Sequence, residues 1–379
     1  MRFVLAVAIL FLGLGGGWLV WNQRDVSTPE STMADAAPGE RAAMLATAAL
    51  PDTLVNVSVP RLRDAGTSSS PLAGGSAFVI NSAGASVDLI DVATRKLVRR
   101  IPVLREPHHM ALTPDRRFLL IGDTVANEML FLNPKTGDVE RRMPISDPYQ
   151  FGFSPDGRWL VVNALLRNQV DIYDAATMQR LSRVQISSMP SHQNFSPDSS
   201  IVYVTLQSAN SVAAIELKSG KVLWKAVVGS TPAGILWHRE KLLVGIMGAD
   251  YVAVVNPSNG QGERRVQTAK GAHVLFVPPD GRVIYVTNRV DGTVVVLDPN
   301  TLGEIRRFRI SGGPDDMDFA PDGKIWVTQR WSHSVAIVDP VTGSFETLEI
   351  GRSPHGIWLN THDALAAALP ASTSVPRQR

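Results

Sequence analysis

The stretch AHVLFVPPDGRVIYVTNRVDGTVVVLDPNTLGEIRRF, residues Ala272–Phe308, reads as four short strands separated by turns. An apolar first strand stops at a Pro-Asp-Gly turn. Val283–Thr287 forms a second strand, and Val290-Asp-Gly292 turns the chain into a third, Thr293–Leu297. Asp298-Pro-Asn-Thr-Leu-Gly303 precedes a fourth, Glu304–Phe308. Runs rich in Val, Ile, Thr and Tyr bounded by Gly, Pro, Asn and Asp are the pattern of hairpin-linked strands. Outward from this unit the first-strand frame recurs as Pro107–Asp115, Pro148–Asp156, Pro190–Asp198, Pro232–Glu240 and Pro314–Asp322, with a truncated copy at Pro354–Asn360. Their first residues are spaced by 41, 42, 42, 40, 42 and 40.

Four strands repeated at about 40–45 residues are the signature of propeller blades, whereas helical solenoids and parallel α/β domains lack this strand-turn spacing. The start and end of the repeat array complement each other. Ala77–Asn81 through Ile101-Pro-Val103 supplies strands two to four of a blade without its first strand, and Pro354–Leu359 is a first strand without its remainder. Joined, they complete a seventh blade and leave no open sheet edge. The predicted fold is all-β: a seven-bladed propeller of four-stranded blades, closed by pairing of N- and C-terminal segments and preceded by an N-terminal transmembrane or signal helix.

Tyr285-Val-Thr-Asn288, Val335-Ala-Ile-Val-Asp339, Pro354-His-Gly-Ile357 and Ser154-Pro-Asp-Gly157 resemble the consensus of YVTN-repeat propellers, over roughly residues 74–360. The resemblance implies the fold and leaves the activity open, because that family includes periplasmic proteins of unsettled function. More distantly the chain is similar to lactonase-type propellers and to the haem-binding propeller of dissimilatory nitrite reductase. The fifth unit departs from the pattern: His238-Arg-Glu240 stands in place of Ser-Pro-Asp, and Gly245-Ile-Met-Gly248 in place of the tetrapeptide. This blade is predicted to be irregular.

Residues 1–24 read as a signal anchor or signal peptide. Phe3–Trp21 is 19 residues without a charge, roughly 28 Å as a helix and close to the thickness of a bilayer core. Trp18 and Trp21 sit where an interfacial aromatic belt would lie. The Trp-Leu-Val-Trp-Asn ending is poor cleavage chemistry, which favours an uncleaved anchor in the inner membrane through residues 3–21. Localisation is therefore expected to be periplasmic, anchored, or free in the periplasm if the segment is cleaved. Residues 25–73 read as a tether, with a short helix at Gly39–Leu50 and an extra strand at Thr53–Val59. Residues 361–379 read as a flexible tail.

Of 379 residues, 44% are hydrophobic, with 30 glycines and 25 prolines, as suits many short strands. A net charge of +2 offers no broad field for a phosphate backbone, so nucleic acid is not an expected partner. The absence of cysteine excludes disulfides, thiolate metal sites, cysteine nucleophiles, c-type haem attachment and a lipid-anchor cysteine.

Five of the eight histidines, His108, His109, His192, His273 and His355, occupy one repeat location just inside the first strand. Equivalent positions carry Tyr149, Gln150, Ser191, Asp315 and Asp316. First strands of blades surround the propeller axis, so these residues should ring the channel mouth. Positions three and five after the proline are mostly apolar and should pack between blades. The candidate ligand-binding set is His108, His109, Gln150, His192, His273, Asp316 and His355, with Arg289 and Arg330 at the rim. Imidazole suits transition metals, and His109, His192, His273 and Asp316 form a candidate metal set. A haem is a further candidate cofactor. The structural alternative is that Pro-His-Gly belongs to the repeat itself, its histidine bonding a neighbouring blade. Asp91, Asp298 and Asp339 are expected to bond turn amides, and Trp159, Trp224, Trp326 and Trp358 to pack. Two functional readings follow: a tethered module binding a small ligand or protein partner in the periplasm, or an enzyme or redox protein, lactonase-like or haem- or metal-bound, using the channel histidines.

Overall fold

The computed structural model describes residue 72 and residues 75–102 and 105–360. The expected anchor, the tether with its helix and extra strand, and the tail lie outside the described residues. Strands run from Ser76 to Asn360 in seven four-stranded antiparallel sheets. Blade 1 is composite: β1 (Ser76–Asn81), β2 (Ser86–Asp91) and β3 (Lys96–Pro102) are joined by β28 (Pro354–Asn360), in the order β28-β1-β2-β3. The other six blades use consecutive strands and open with β4 (Pro107–Leu112), β8 (Gln150–Phe153), β12 (Pro190–Phe195), β16 (Pro232–His238), β20 (Ala272–Phe276) and β24 (Pro314–Phe319). Each of these seven first strands lies against the first strand of the next blade, round a closed circuit.

Burial follows the same geometry. Second and third strands are buried almost throughout, while the fourth strands, such as β3, are exposed or half-buried over most of their length. Among the described residues the apolar core is divided into seven clusters, each shared by two neighbouring blades. Met110, Phe151, Phe153, Ile235, Trp237, Met317 and Phe319 join these seams, as the spacing predicts. Trp326, Trp224, Trp159 and Trp358 pack there as well. Asp91, Asp298 and Asp339 accept bonds from turn amides at Thr94, Thr301 and Val341.

One backbone irregularity recurs. Pro314 lies opposite Gln329 and Met317 opposite Val327, so the first strand carries one residue more than its partner. The same bulge follows Pro107, Pro190, Pro232, Ala272 and Pro354. A bulge interrupts ladder pairing and re-aims side chains. Here a threonine of the second strand closes the gap. The Thr328 hydroxyl accepts from the Asp316 amide at 2.9 Å and lies within bonding distance of the carbonyls of Asp316 at 3.2 Å and, on the next blade, His355 at 2.9 Å. Thr287 takes the same place between Val274 and the carbonyl of Asp315, and Thr205 meets both the amide and the carbonyl of His192. In blade 3, Asn163 donates across to the Ser191 carbonyl at 3.1 Å.

The fifth blade corrects the expectation of irregularity. It has four strands, and β16 pairs with β17 (Lys241–Ile246) up to His238 opposite Lys241. Arg239 and Glu240, both left-handed at φ 47° and 59°, make a two-residue hairpin turn that needs no Ser-Pro-Asp. Gly245 occupies the threonine position, where a Cβ would stand 2.4 Å from the His273 carbonyl oxygen. The glycine therefore lets the first strand of blade 6 approach.

Thr328→Val keeps the shape but leaves the half-buried Asp316 amide without its partner. The expected loss is about 1–3 kcal/mol, read from urea denaturation; an unchanged midpoint would show that the hydroxyl does not hold the bulge.

Candidate functional site

A strand with strict alternation would send only one of two consecutive side chains toward the axis. The bulge lifts that restriction, and residues at both the first and second positions after the proline come together in one cluster. The result is a continuous group. The rings of His109 and His355 have centroids 4.6 Å apart, His109 and His192 5.5 Å, and His192 and His273 5.5 Å. His108 lies 4.7 Å from His355 and 4.4 Å from Tyr149. Asp315 completes the circuit between His273 and His355, at 2.9 and 2.6 Å from their Nδ1 atoms.

Asp315 is the electrostatic centre. It is wholly buried, yet it meets four donors: Arg289 and His273 at Oδ1, Arg330 at 3.1 Å and His355 at Oδ2. Burial opposes its ionisation, but Arg289, His355 and His273 outweigh burial and hold the carboxyl well below its ordinary range. His273 is flanked on both nitrogens: its Nδ1 lies 2.9 Å from Asp315 Oδ1, and Arg289 Nη2 stands 2.7 Å from its Nε2 and 3.3 Å from its Nδ1.

The other rings are differently placed. His355 gives Nδ1 to Asp315, and its Nε2 is buried without a partner. His192 Nδ1 lies 3.2 Å from Ser191 Oγ, and its Nε2 is likewise unpartnered. His109 Nδ1 donates to the Tyr149 carbonyl at 2.7 Å. His108 Nδ1 is unpartnered, while its Nε2 lies 3.8 Å from Glu106 Oε1. Burial, then repulsion from His109, keeps His108 and His192 well below the usual imidazole range. Burial pushes His109 down to about 4. His355 is also lowered well below its range by burial, against the pull of Asp315. These imidazoles are neutral at pH 7.

The structure thus brings His108, His109, His192, His273, His355, Arg289 and Arg330 together. Gln150 is partly exposed, with a buried Oε1 that lacks a partner. Asp316 departs from its expected role. Its Oδ1 accepts from the Met317 amide, and burial together with Asp315 pushes its carboxyl well above the usual range. The expected metal grouping is accordingly not the one within ligating distance. Among the described residues that grouping is His108, His109 and His355, whose nitrogens lie within 4.8 Å of one another. His273 is excluded because both of its nitrogens are occupied. Asp315 and Tyr149 belong to the ring that the repeat spacing predicts but not to the candidate binding or metal sets, although Asp315 shares the column of His273 and His355. His238 bonds the Pro299 carbonyl and His333 is exposed, both apart from this group.

A family model described as YNCE-like beta-propeller matches residues 39–365. No curated protein matches the chain by sequence. Among solved structures, a functionally unknown protein from Desulfotomaculum acetoxidans is similar at 15% identity and TM-score 0.66, covering 75% of this chain and 98% of that one. The periplasmic gluconolactonase PpgL of Pseudomonas aeruginosa is similar at 20% identity and TM-score 0.60, over 76% of this chain and 99% of that one. The dihydro-heme d1 dehydrogenase NirN is similar at 15% and 0.60, over 88% of each chain. At such identities the likeness concerns the fold.

Removing the central carboxylate leaves two guanidinium groups uncompensated. Asp315→Ala is expected to cost about 3–5 kcal/mol, and Asp315→Leu with Arg289→Met and Arg330→Met to recover most of it. Chemical denaturation of the three proteins decides: a single variant as stable as wild type removes Asp315 from its central role.

Proposed function

The chain belongs to the YNCE-like beta-propeller family, and from that premise we propose that it is an exported, membrane-tethered binding module whose small ligand seats among the histidines at one end of the channel. The supporting observation is the set of buried imidazole nitrogens without partners, His108 Nδ1, His192 Nε2 and His355 Nε2, gathered beside Asp315. Buried polar atoms are normally satisfied, so several unsatisfied ones on neighbouring rings call for an occupant. The same group supports a redox or metal-dependent role, because neutral imidazoles are metal and haem ligands. In either case the binding event lies at the same residues.

Native mass spectrometry of the full-length protein in detergent tests the reading. A non-covalent adduct is expected on the wild type, with occupancy at least tenfold lower in His109→Ala/His192→Ala. Identical spectra for the two proteins would refute a site at the histidines.

The tether and the compartment rest on the uncharged run Phe3–Trp21 behind Met1-Arg2. In a bacterial host the protein should sediment with membranes and be digested by protease added to spheroplasts, while removal of residues 1–24 should leave it soluble and protected. Protection of the intact chain would place the propeller on the cytoplasmic side and reject export.

A further inference from the structure

We propose that His108, His109 and His355 form a transition-metal site that takes a borderline cation such as Zn(II) through one nitrogen of each ring. The inference rests on the binding-module reading and names its ligand.

Proximity is the first observation: one nitrogen from each ring lies within 4.8 Å of the others. A tetrahedral ion with bonds of about 2.0–2.1 Å holds its ligands roughly 3.3 Å apart.

The second observation is independent of distance. A metal-bound histidine characteristically gives its other N–H to a carboxylate or a backbone carbonyl, which fixes ring and tautomer. Two of the three rings have such a partner, and the third has a carboxylate 3.8 Å away. His355 Nδ1 donates to Asp315, freeing a buried Nε2. His109 Nδ1 donates to the Tyr149 carbonyl, which turns Nε2 outward from that bond. His108 faces Glu106 through Nε2 and leaves Nδ1 buried and unpartnered. His355 and His108 are only 2% and 7% exposed, so neither free nitrogen can be satisfied by bulk water. His273 shows the contrast, with a donor on one nitrogen and a carboxylate on the other.

Charge constrains the rest of the coordination sphere. The protein ligands are three neutral imidazoles, and Arg289 and Arg330 together exceed the charge of the Asp315 they share. A divalent ion here therefore takes an anion or hydroxide at its open fourth position, on a site with three protein ligands. Asp315 is a positioning residue that orients His355 without touching the metal, and Glu106, 3.8 Å from His108 Nε2, takes the same part once the metal draws that ring into place.

The test uses the full-length protein, stripped with chelator and titrated with Zn²⁺ by calorimetry, with Co²⁺ added in parallel for visible absorption. Expected are one equivalent of Zn²⁺ and the d–d bands of four-coordinate Co(II). His355→Ala and His108→Ala should weaken Zn²⁺ binding at least 100-fold. Glu106→Gln should weaken it about 10-fold, and His238→Asn should bind as wild type. If His355→Ala melts early without metal, His109→Gln carries the test. No saturable binding, or stoichiometric binding that survives loss of His355 and His108, overturns the proposal. If the native mass spectrum still shows a histidine-dependent organic adduct, the metal assignment alone has failed; if both measurements are blank, the pocket reading falls with it.

Discussion

The arrangement depends on one extra residue at the head of the first strands. A regular antiparallel strand sends neighbouring side chains to opposite faces, so His108 and His109 could not both reach one cluster. The bulge allows it, at the expense of ladder bonds near the molecular axis. Those bonds are replaced locally: Thr328, Thr287 and Thr205 use one hydroxyl to meet the bulged backbone. Thr328 and Thr287 also reach a carbonyl of the next blade. The threonine of the repeat tetrapeptide thus has a double role, shaping its own blade and setting the distance to the following one. Where the repeat has glycine instead, at Gly122 and Gly245, the neighbouring backbone moves into the space a Cβ would need.

Once the bulges deliver these side chains, electrostatics decides what each can do. Asp315 is buried enough that an isolated carboxylate would be neutral, and it is ionised because two guanidinium groups and two imidazoles converge on it. The same contacts sort the histidines. His273 is consumed as a structural member of the network, while His355 is oriented by it and keeps a free nitrogen. His273 thus fits the structural reading of these histidines, whereas the free nitrogen of His355 is what the proposed ligand would use.

The blade count was legible in the sequence because it rests on local pattern: strand-length apolar runs, Pro-Asp turns and a spacing near 41. Ring closure was legible for the same reason, from the strand missing at one end and the spare at the other. Arg289 and Arg330 could be placed because they align with each other after the second strand. What the sequence hides is register. A bulge carries no residue signature of its own here, and without it alternation gives no reason to prefer Asp315 to Asp316. The choice fell on Asp316, whose carboxylate instead caps the Met317 amide. Which nitrogens remain free is hidden for a related reason: it depends on contacts with Tyr149, Asp315 and Arg289 that no spacing reveals.

Closure and site are also coupled. His355 lies on β28, the strand that returns from the C-terminal end of the repeats to complete blade 1 beside β1. His108 and His109 lie on β4 of the next blade, and Asp315 on β24 of the preceding one. The cluster consequently exists only when the last strand has docked, since the intact array of blades 2 to 7 would still lack His355. The Thr328 bond to the His355 carbonyl and the Asp318 bond from the Leu359 amide fasten that strand to blade 7. Any ligand held by His355 together with His108 and His109 adds its binding free energy to the closed ring and none to the open one. A site built across the closing seam therefore makes occupancy of the site and integrity of the propeller a single equilibrium.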